Sequence, residues 1–385
     1  MNTHNKKRVL VAVGAFPPAH GGGGLRAART YQWLAEKLPI DVHVISMEGV
    51  DAPAGLSDWQ DMPVWRTQNI PSLKTQLPAV GRFFLQQGWR PFDLVHIFGI
   101  SPVCNATTLW ARLFRIPLLY EMCVLTKFEE FPKLLSTRFL FNAIRNAKMH
   151  VAISDGIQDE FIKLGVKQES IWLRSNPVSV DLFKLPNEYE RDNARRRLGV
   201  SQHEYLHLVL GRFQERKNQL LAVKALERLP ENHRLILAGP VYDNNREYLD
   251  SVQEQVKNSG LSKRVIMRVE FIKDVVSLYH AADCCWLPSL SEGLPNVILE
   301  SLCCGVPVII NQSLGMNRHI IDMKNGINVA LTPETFAEAV LQIEDLLKKR
   351  SRRKIIALEA MEQYDSKKIN ADFAQRLSTL LNLDL

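Results

Sequence analysis

Short apolar runs alternate with amphipathic stretches along most of the chain. Val9–Val13 reads as a buried strand, Leu25–Leu38 as a helix and Val42–Met47 as the next strand. Leu94–Phe98, Leu118–Tyr120 and His150–Ile153 are further strands, with helical segments between several of them. The segment from Gly49 to Pro78, rich in Pro, Asp, Ser and Gln, predicts loops. A change of character at Asn176–Pro186, with two prolines and several turn formers, reads as a linker. The alternation then restarts with strands at Leu206–Leu210, Leu235–Ala238, Val265–Met267, Cys284–Leu287 and Val306–Ile310. Strand–helix alternation of this kind predicts parallel sheets covered on both faces. The expected architecture is α/β: two Rossmann-like, doubly wound domains facing a central cleft, with ligands at the C-terminal ends of the strands. A last helix, Ile369–Leu381, starts after the polar Tyr364-Asp365-Ser366.

Composition narrows this picture. The 385 residues are 46% apolar and 23% charged, the balance of an ordinary globular chain with room for two cores. No apolar run approaches the ~18–20 residues of a membrane span. Val9–Phe16, behind Lys6-Lys7-Arg8, is short for a signal peptide and no small-residue cleavage site follows, so a cytoplasmic protein is expected. The six cysteines, two adjacent pairs of them in apolar runs (Cys284-Cys285 and Cys303-Cys304), form no C-x-x-C and read as buried thiols. Residues 1–180 carry 20 Lys/Arg against 14 Asp/Glu, a net charge of +6 within a total of +7. A basic first half suits an anionic partner such as a membrane surface or a lipid phosphate, or is simply a solvated surface. Lys133–Lys148, apolar on one side and with cations alone among its charges, fits either a membrane-facing or a core-facing helix. Diffuse charge with no aromatic–basic module argues against nucleic acid.

The densest chemical signal is Pro288-Ser289-Leu290-Ser291-Glu292-Gly293-Leu294-Pro295-Asn296, continuing through Glu300 to Gly305-Val306-Pro307. A buried strand ends in a polar turn, and a helix starts near Pro295 and closes at Gly305. Free N–H groups of the turn and helix start suit phosphate oxygens. Glu292 and Glu300 offer carboxylates for vicinal hydroxyls of a sugar or ribose. Upstream, Gly211-Arg212-Phe213-Gln214-Glu215-Arg216-Lys217-Asn218 follows another strand, and its cations suit a departing diphosphate. Arg212, Arg216 and Lys217 are the candidate cations. Gly21-Gly22-Gly23-Gly24 lies between the first strand and first helix, where glycine permits close backbone approach.

These stretches resemble retaining glycosyltransferases of family 4, with their two-domain GT-B fold, their E-x7-E motif and their G-R-x-x-x-x-K-G segment. Here Asn218 stands where glycine is usual. Asp93-Leu94-Val95-His96, Val151-Ala152-Ile153-Ser154, the Asn176–Phe183 stretch, Leu237-Ala238-Gly239-Pro240 and Asn325-Gly326-Ile327 also fit, so the resemblance runs from about Val9 to about Val329. It implies an acceptor-side domain over 1–180, a donor domain over 181–365 and a C-terminal segment 366–385 crossing back to the first domain. It implies that Glu292 contacts the donor sugar, with Arg212 and Lys217 on the leaving diphosphate. Glu300 would hold the ribose, and Gly293, Leu294, Pro295, Asn296, Gly22, Gly23 and Gly24 would line the donor. The donor would be a UDP- or GDP-linked sugar and the acceptor a saccharide or lipid-linked saccharide, as in lipopolysaccharide, capsule or exopolysaccharide assembly. No D-x-D occurs, so no metal or other cofactor is expected. Many family members carry a His after the strand corresponding to Leu118–Tyr120. This chain has Glu121-Met122-Cys123 there, which leaves Glu121, Lys127 and His96 as acceptor-side candidates. A nucleotide-sugar epimerase or a non-catalytic nucleotide-sugar binder is the alternative reading.

Overall fold

The computed structural model describes residues 6–383 apart from 20, 21, 50, 89, 90, 132, 133, 243, 244, 349 and 350, so Gly21 and Lys133 lie outside the described residues. The chain forms two compact units: Met1–Pro177 together with Lys367–Leu385, and Val178–Ser366.

The first unit is built on an eight-stranded sheet. Its strands are β1 (Lys7–Val13), β2 (Ile40–Met47), β3 (Gly55–Trp59), β4 (Met62–Thr67), β5 (Leu94–Phe98), β6 (Leu118–Met122), β7 (Met149–Ala152) and β8 (Ile171–Leu173). They lie in the order β3-β4-β2-β1-β5-β6-β7-β8, all parallel except for β3 on β4. The helices are α1 (Gly22–Lys37), α2 (Leu73–Gln86), α3 (Pro102–Leu113), α4 (Leu135–Arg145) and α5 (Asp155–Lys163). Central strands such as β5 are buried along their whole length, as a sheet covered on both faces requires. Ser101 caps α3 by accepting from the Cys104 N–H, with Pro102 in the first turn.

The segment expected to be loops, Gly49 to Pro78, instead contains β3, β4 and the start of α2. The hairpin turns on Gln60 and Asp61, both at positive φ (48° and 63°), residues that do not advertise such a turn as Asn-Gly does. β3 is mostly exposed, so it shows no apolar alternation, whereas β4 alternates and Trp65 stacks on Phe83 of α2 at 5.0 Å. Pro78 lies inside α2 rather than ending a loop.

The second unit holds six parallel strands: β9 (Tyr205–Leu210), β10 (His233–Ala238), β11 (Val265–Arg268), β12 (Cys284–Leu287), β13 (Val308–Asn311) and β14 (Gly326–Val329). Their order is β11-β10-β9-β12-β13-β14. Around them lie α6 (Glu188–Arg197), α7 (Gln219–Leu226), α8 (Arg246–Asn258), α9 (Val275–Ala281), α10 (Asn296–Cys303), α11 (Pro333–Leu347) and α12 (Arg352–Tyr364). Asn187 and Glu190 close α6 with a reciprocal capping box. Gly305, at φ 72°, ends α10 where an added Cβ would meet the Arg353 carbonyl at 2.6 Å. Asp283, just before β12, accepts from Arg191, Arg195 and Arg353 and so ties α6 and α12 to the sheet.

The last helix, α13 (Ser366–Leu381), packs on the first unit, as the resemblance implies. Phe373 lies 5.6 Å from Trp172, 5.7 Å from His96 and 6.3 Å from Tyr31, ring centre to ring centre. All six cysteines are unpaired, five of them buried and Cys123 half-buried.

Candidate active site

In a doubly wound sheet the order reverses at one point, and the crevice beyond the strand C-termini there is where ligands bind. In the second unit that point falls between β9 and β12. β9 runs into Gly211–Asn218 and β12 into Pro288–Glu292, so the two densest motifs emerge side by side. Lys217 Nζ donates to Glu292 Oε1 at 2.7 Å, and Arg216 Nη1 lies 3.1 Å from Glu292 Oε2. Arg216 also donates to the Ser291 carbonyl, and the Leu290 N–H donates to the Arg216 carbonyl at 2.8 Å.

Burial would raise the Glu292 pKa, but Lys217 and Arg216 outweigh it and hold the carboxyl below its usual range. Burial lowers the Lys217 ammonium from its ordinary value, against the opposing pull of Glu292. Asn218 sits at φ 54°, ψ 45°, between a 3-10 turn and α7. Its replacement of the usual glycine keeps a left-handed position, which Asn tolerates better than most residues.

Arg212 does not join the Glu292 pair. Its guanidinium lies over the Tyr242 ring at 5.4 Å, and its carbonyl accepts from Gln219. Glu300, midway along α10, accepts from the buried Tyr279 hydroxyl at 2.8 Å. Pro295 occupies the cap of α10 and Asn296 begins it. Gly293 and Leu294 are buried. Pro295 and Asn296 are partly exposed.

The first unit reverses between β1 and β5. Gly22–Gly24 open α1 there, Gly22 exposed and Gly24 buried. A Cβ on Gly24 would lie 1.8 Å from the Ala15 carbonyl oxygen, which demands glycine. Of the acceptor-side candidates, two are interior. Glu121 is 0% exposed; Arg26 Nη2 lies 2.5 Å from its Oε1 and Arg174 Nη2 2.5 Å from its Oε2. Burial would raise its pKa, but Arg174 and Arg26 prevail and lower it to about 2. Arg26 also donates to Asn176 Oδ1 at 2.6 Å and to Cys123 Sγ at 3.1 Å.

His96 is likewise fully buried. Tyr31 Oη lies 2.8 Å from its Nδ1, and desolvation lowers its pKa to about 3, so it is neutral. Both side chains are interior, His96 midway along β5 and Glu121 near the end of β6, and each contacts α1, through Tyr31 and Arg26 respectively. Lys127, with 57% of its side chain exposed, pairs with Glu130 at 3.4 Å and is apart from this cluster. Among the described residues, no group of three or more His, Cys, Asp or Glu side chains is placed to hold a metal ion.

Sequence reasoning missed Tyr242, Tyr279, Arg26 and Arg174, which support the motif residues from distant stretches of chain. It named Arg216 only as a rival for the cation role.

Residues 190–360, which lie within the second unit, match the model of the glycosyl transferases group 1 family. The fold of the chain resembles that of Anabaena Alr3699/HepE, solved in complex with UDP: TM-score 0.80 and 22% identity over 97% of this chain and 100% of that one. It also resembles sucrose-phosphate synthase from Thermosynechococcus elongatus (TM-score 0.81, 19% identity, 98% and 100% covered). Among characterised relatives, the UDP-Gal:alpha-D-GlcNAc-diphosphoundecaprenol alpha-1,3-galactosyltransferase of Escherichia coli is 24% identical over 47% of this chain and 48% of its own length. A D-inositol 3-phosphate glycosyltransferase of Corynebacterium urealyticum is 27% identical over 43% and 41%. The chain thus spans about half the length of the curated relatives it matches.

Proposed function

We propose that the protein moves a sugar from a UDP-linked donor to a saccharide or lipid-linked acceptor in glycan assembly, with retention of configuration and without a metal ion. The observation that carries this reading is the meeting of Lys217, Arg216 and Glu292 at the point where the second sheet reverses. Cations there neutralise a departing nucleoside diphosphate, the electrostatic stabilisation that transfer needs. Arg212, laid on Tyr242, is the third positive group of the same loop. Glu300, oriented by Tyr279, takes the ribose hydroxyls. The donor is assigned to the second unit and the acceptor to the first. Retention follows from attack on the face of departure, with a phosphate oxygen taking the acceptor proton and no protein nucleophile. UDP as the carrier is supported by the UDP in the similar HepE structure and the UDP-Gal in the name of the E. coli relative.

Screening thermal stability against UDP, GDP, ADP and TDP without added metal tests the reading. A ligand at a hundredfold excess over Kd stabilises by about 2.7 kcal/mol. A UDP-selective shift that Glu300→Ala removes is the expected result, followed by turnover of UDP-sugars; no shift in folded protein sinks it. Binding without turnover favours the non-catalytic reading, which the missing acceptor-side His supports.

An anionic membrane surface is the partner we assign to the first unit. Leu135 and Phe139 of α4 are 69% and 60% exposed beside Arg138, while Leu140, Ala143 and Ile144 face the core. A cavity of about 770 Å3 next to them is lined by Arg112, Leu113, Arg115, Phe139 and Lys148. Among the described residues no helix is long and apolar enough to cross a membrane. Sedimentation with vesicles containing anionic lipid is expected to carry the protein down, and equal binding to neutral vesicles removes the assignment.

A further inference from the structure

Two loops of the second unit are fastened to one another by one side chain and its neighbour. Arg216 donates to the Ser291 carbonyl and approaches Glu292 Oε2 at 3.1 Å, while its own carbonyl accepts from Leu290. Lys217 takes the other oxygen of Glu292 at 2.7 Å. Both carboxylate oxygens are therefore engaged by cations, and the carboxylate itself is buried. A carboxylate and a phosphate present similar pairs of oxygens to a guanidinium, and Arg binds either through the same planar fork.

We propose that Glu292 occupies the place of a phosphate group, and that Arg216 and Lys217 form a cation pair which exchanges this carboxylate for the diphosphate of the donor. Arg216 is then a diphosphate-contacting residue of this site in its own right, alongside Lys217. The proposal rests on the reading that the second unit holds a nucleoside diphosphate.

The exchange has a direction. A diphosphate brings more negative charge and more acceptor oxygens than one carboxylate, so it wins the two cations. The released Glu292 is an acceptor-only group in a buried position and needs donors at once. Hydroxyls of a sugar on the same diphosphate supply them. Contact with the sugar thereby depends on the diphosphate having docked, and a sugar without its nucleotide finds Glu292 already engaged.

The test compares the affinities of UDP and uridine by calorimetry for the wild type, Glu292→Gln, Arg216→Met, Arg216→Lys and Lys217→Met. The expected result is UDP binding about tenfold tighter to Glu292→Gln, a factor equal to about 1.4 kcal/mol, with uridine unchanged. Arg216→Met is expected to bind UDP about tenfold more weakly, again with uridine unchanged, and Arg216→Lys to recover part of the loss. A general loss of structure would move both ligands together. UDP affinity that falls in Lys217→Met but does not rise in Glu292→Gln overturns the exchange alone. UDP affinity equal in wild type and Lys217→Met places the diphosphate elsewhere and overturns the reading beneath it. Should Glu292→Gln fail to fold, the two Arg216 variants decide: no selective effect on UDP overturns the role given to Arg216.

Discussion

Replacing Glu121 by alanine is expected to cost the first unit about 3–5 kcal/mol, the usual penalty for removing one partner of a buried ion pair. The carboxylate is fully buried between Arg26 and Arg174, which are themselves 8% and 6% exposed. Without it two guanidiniums remain inside with no counter-charge. The pKa gives an independent figure. A carboxyl held at about 2 instead of its ordinary 4.5 contributes ~3 kcal/mol above pH 4.5, at ~1.4 kcal/mol per pKa unit. That contribution declines as pH falls from 4.5 and is gone below 2. Two units need not unfold together, so a single global midpoint is the wrong readout. Hydrogen exchange of the 118–122 strand and of α1, read against urea, isolates the affected region. Glu121→Ala should lower the opening free energy there by several kcal/mol and leave the second unit's strands unchanged. Removing all three charges together, as Arg26→Met, Glu121→Leu and Arg174→Met, should cost far less than Glu121→Ala alone, because no uncompensated charge is left. A loss below ~1 kcal/mol in Glu121→Ala would refute the claim that this carboxylate holds the two arginines.

Three further outcomes follow from the same reasoning. Burial lowers His96 and His207 to about 3 and His233 and His319 to about 4, so all four fold neutral. Stability should fall as pH drops below ~6.5, by up to ~1.4 kcal/mol per unit for each histidine until its folded pKa is reached, which urea unfolding followed separately for each unit at pH 7 and pH 5 will register. Gly24→Ala forces a Cβ to within 1.8 Å of the Ala15 carbonyl oxygen and should cost about 1–3 kcal/mol, seen as faster hydrogen exchange at the start of α1. Asn218, at φ 54°, should accept glycine with little change, while Asn218→Ala costs about 1–2 kcal/mol; equal stabilities for the two variants would remove the backbone explanation for asparagine there.

The second unit was more legible than the first because its chemistry is written in contiguous stretches. Glu292 lies in a turn directly after a strand, and Lys217 in another, so strand pattern plus loop composition sufficed to bring them forward. The reversal of strand order that joins the two loops is a property of topology and had to be seen. In the first unit the decisive contacts join Arg26, Glu121 and Arg174, residues far apart in the chain with no local pattern to link them. Glu121 stood out as a polar residue directly after a predicted strand and His96 as one within a strand, and nothing in sequence told a buried brace from an exposed contact. The hairpin of β3 and β4 was missed for a different reason. Its outer strand is too exposed to alternate, and its turn residues adopt positive φ without the glycine that normally signals it.

The path of the chain through α13 bears on how the protein is made. Trp172 and Phe373, whose rings lie 5.6 Å apart, leave the ribosome about 200 residues apart, roughly 10–40 s at 5–20 residues per second. Throughout that interval the first sheet is complete in sequence, yet the faces of Tyr31, His96 and Trp172 that Phe373 covers have nothing upon them. The second unit, encoded without interruption, has all of its own residues before that patch is closed. The first unit thus lacks part of its own core until its last helix has been made, and nascent chains stalled short of Phe373 should bind chaperones through that aromatic patch.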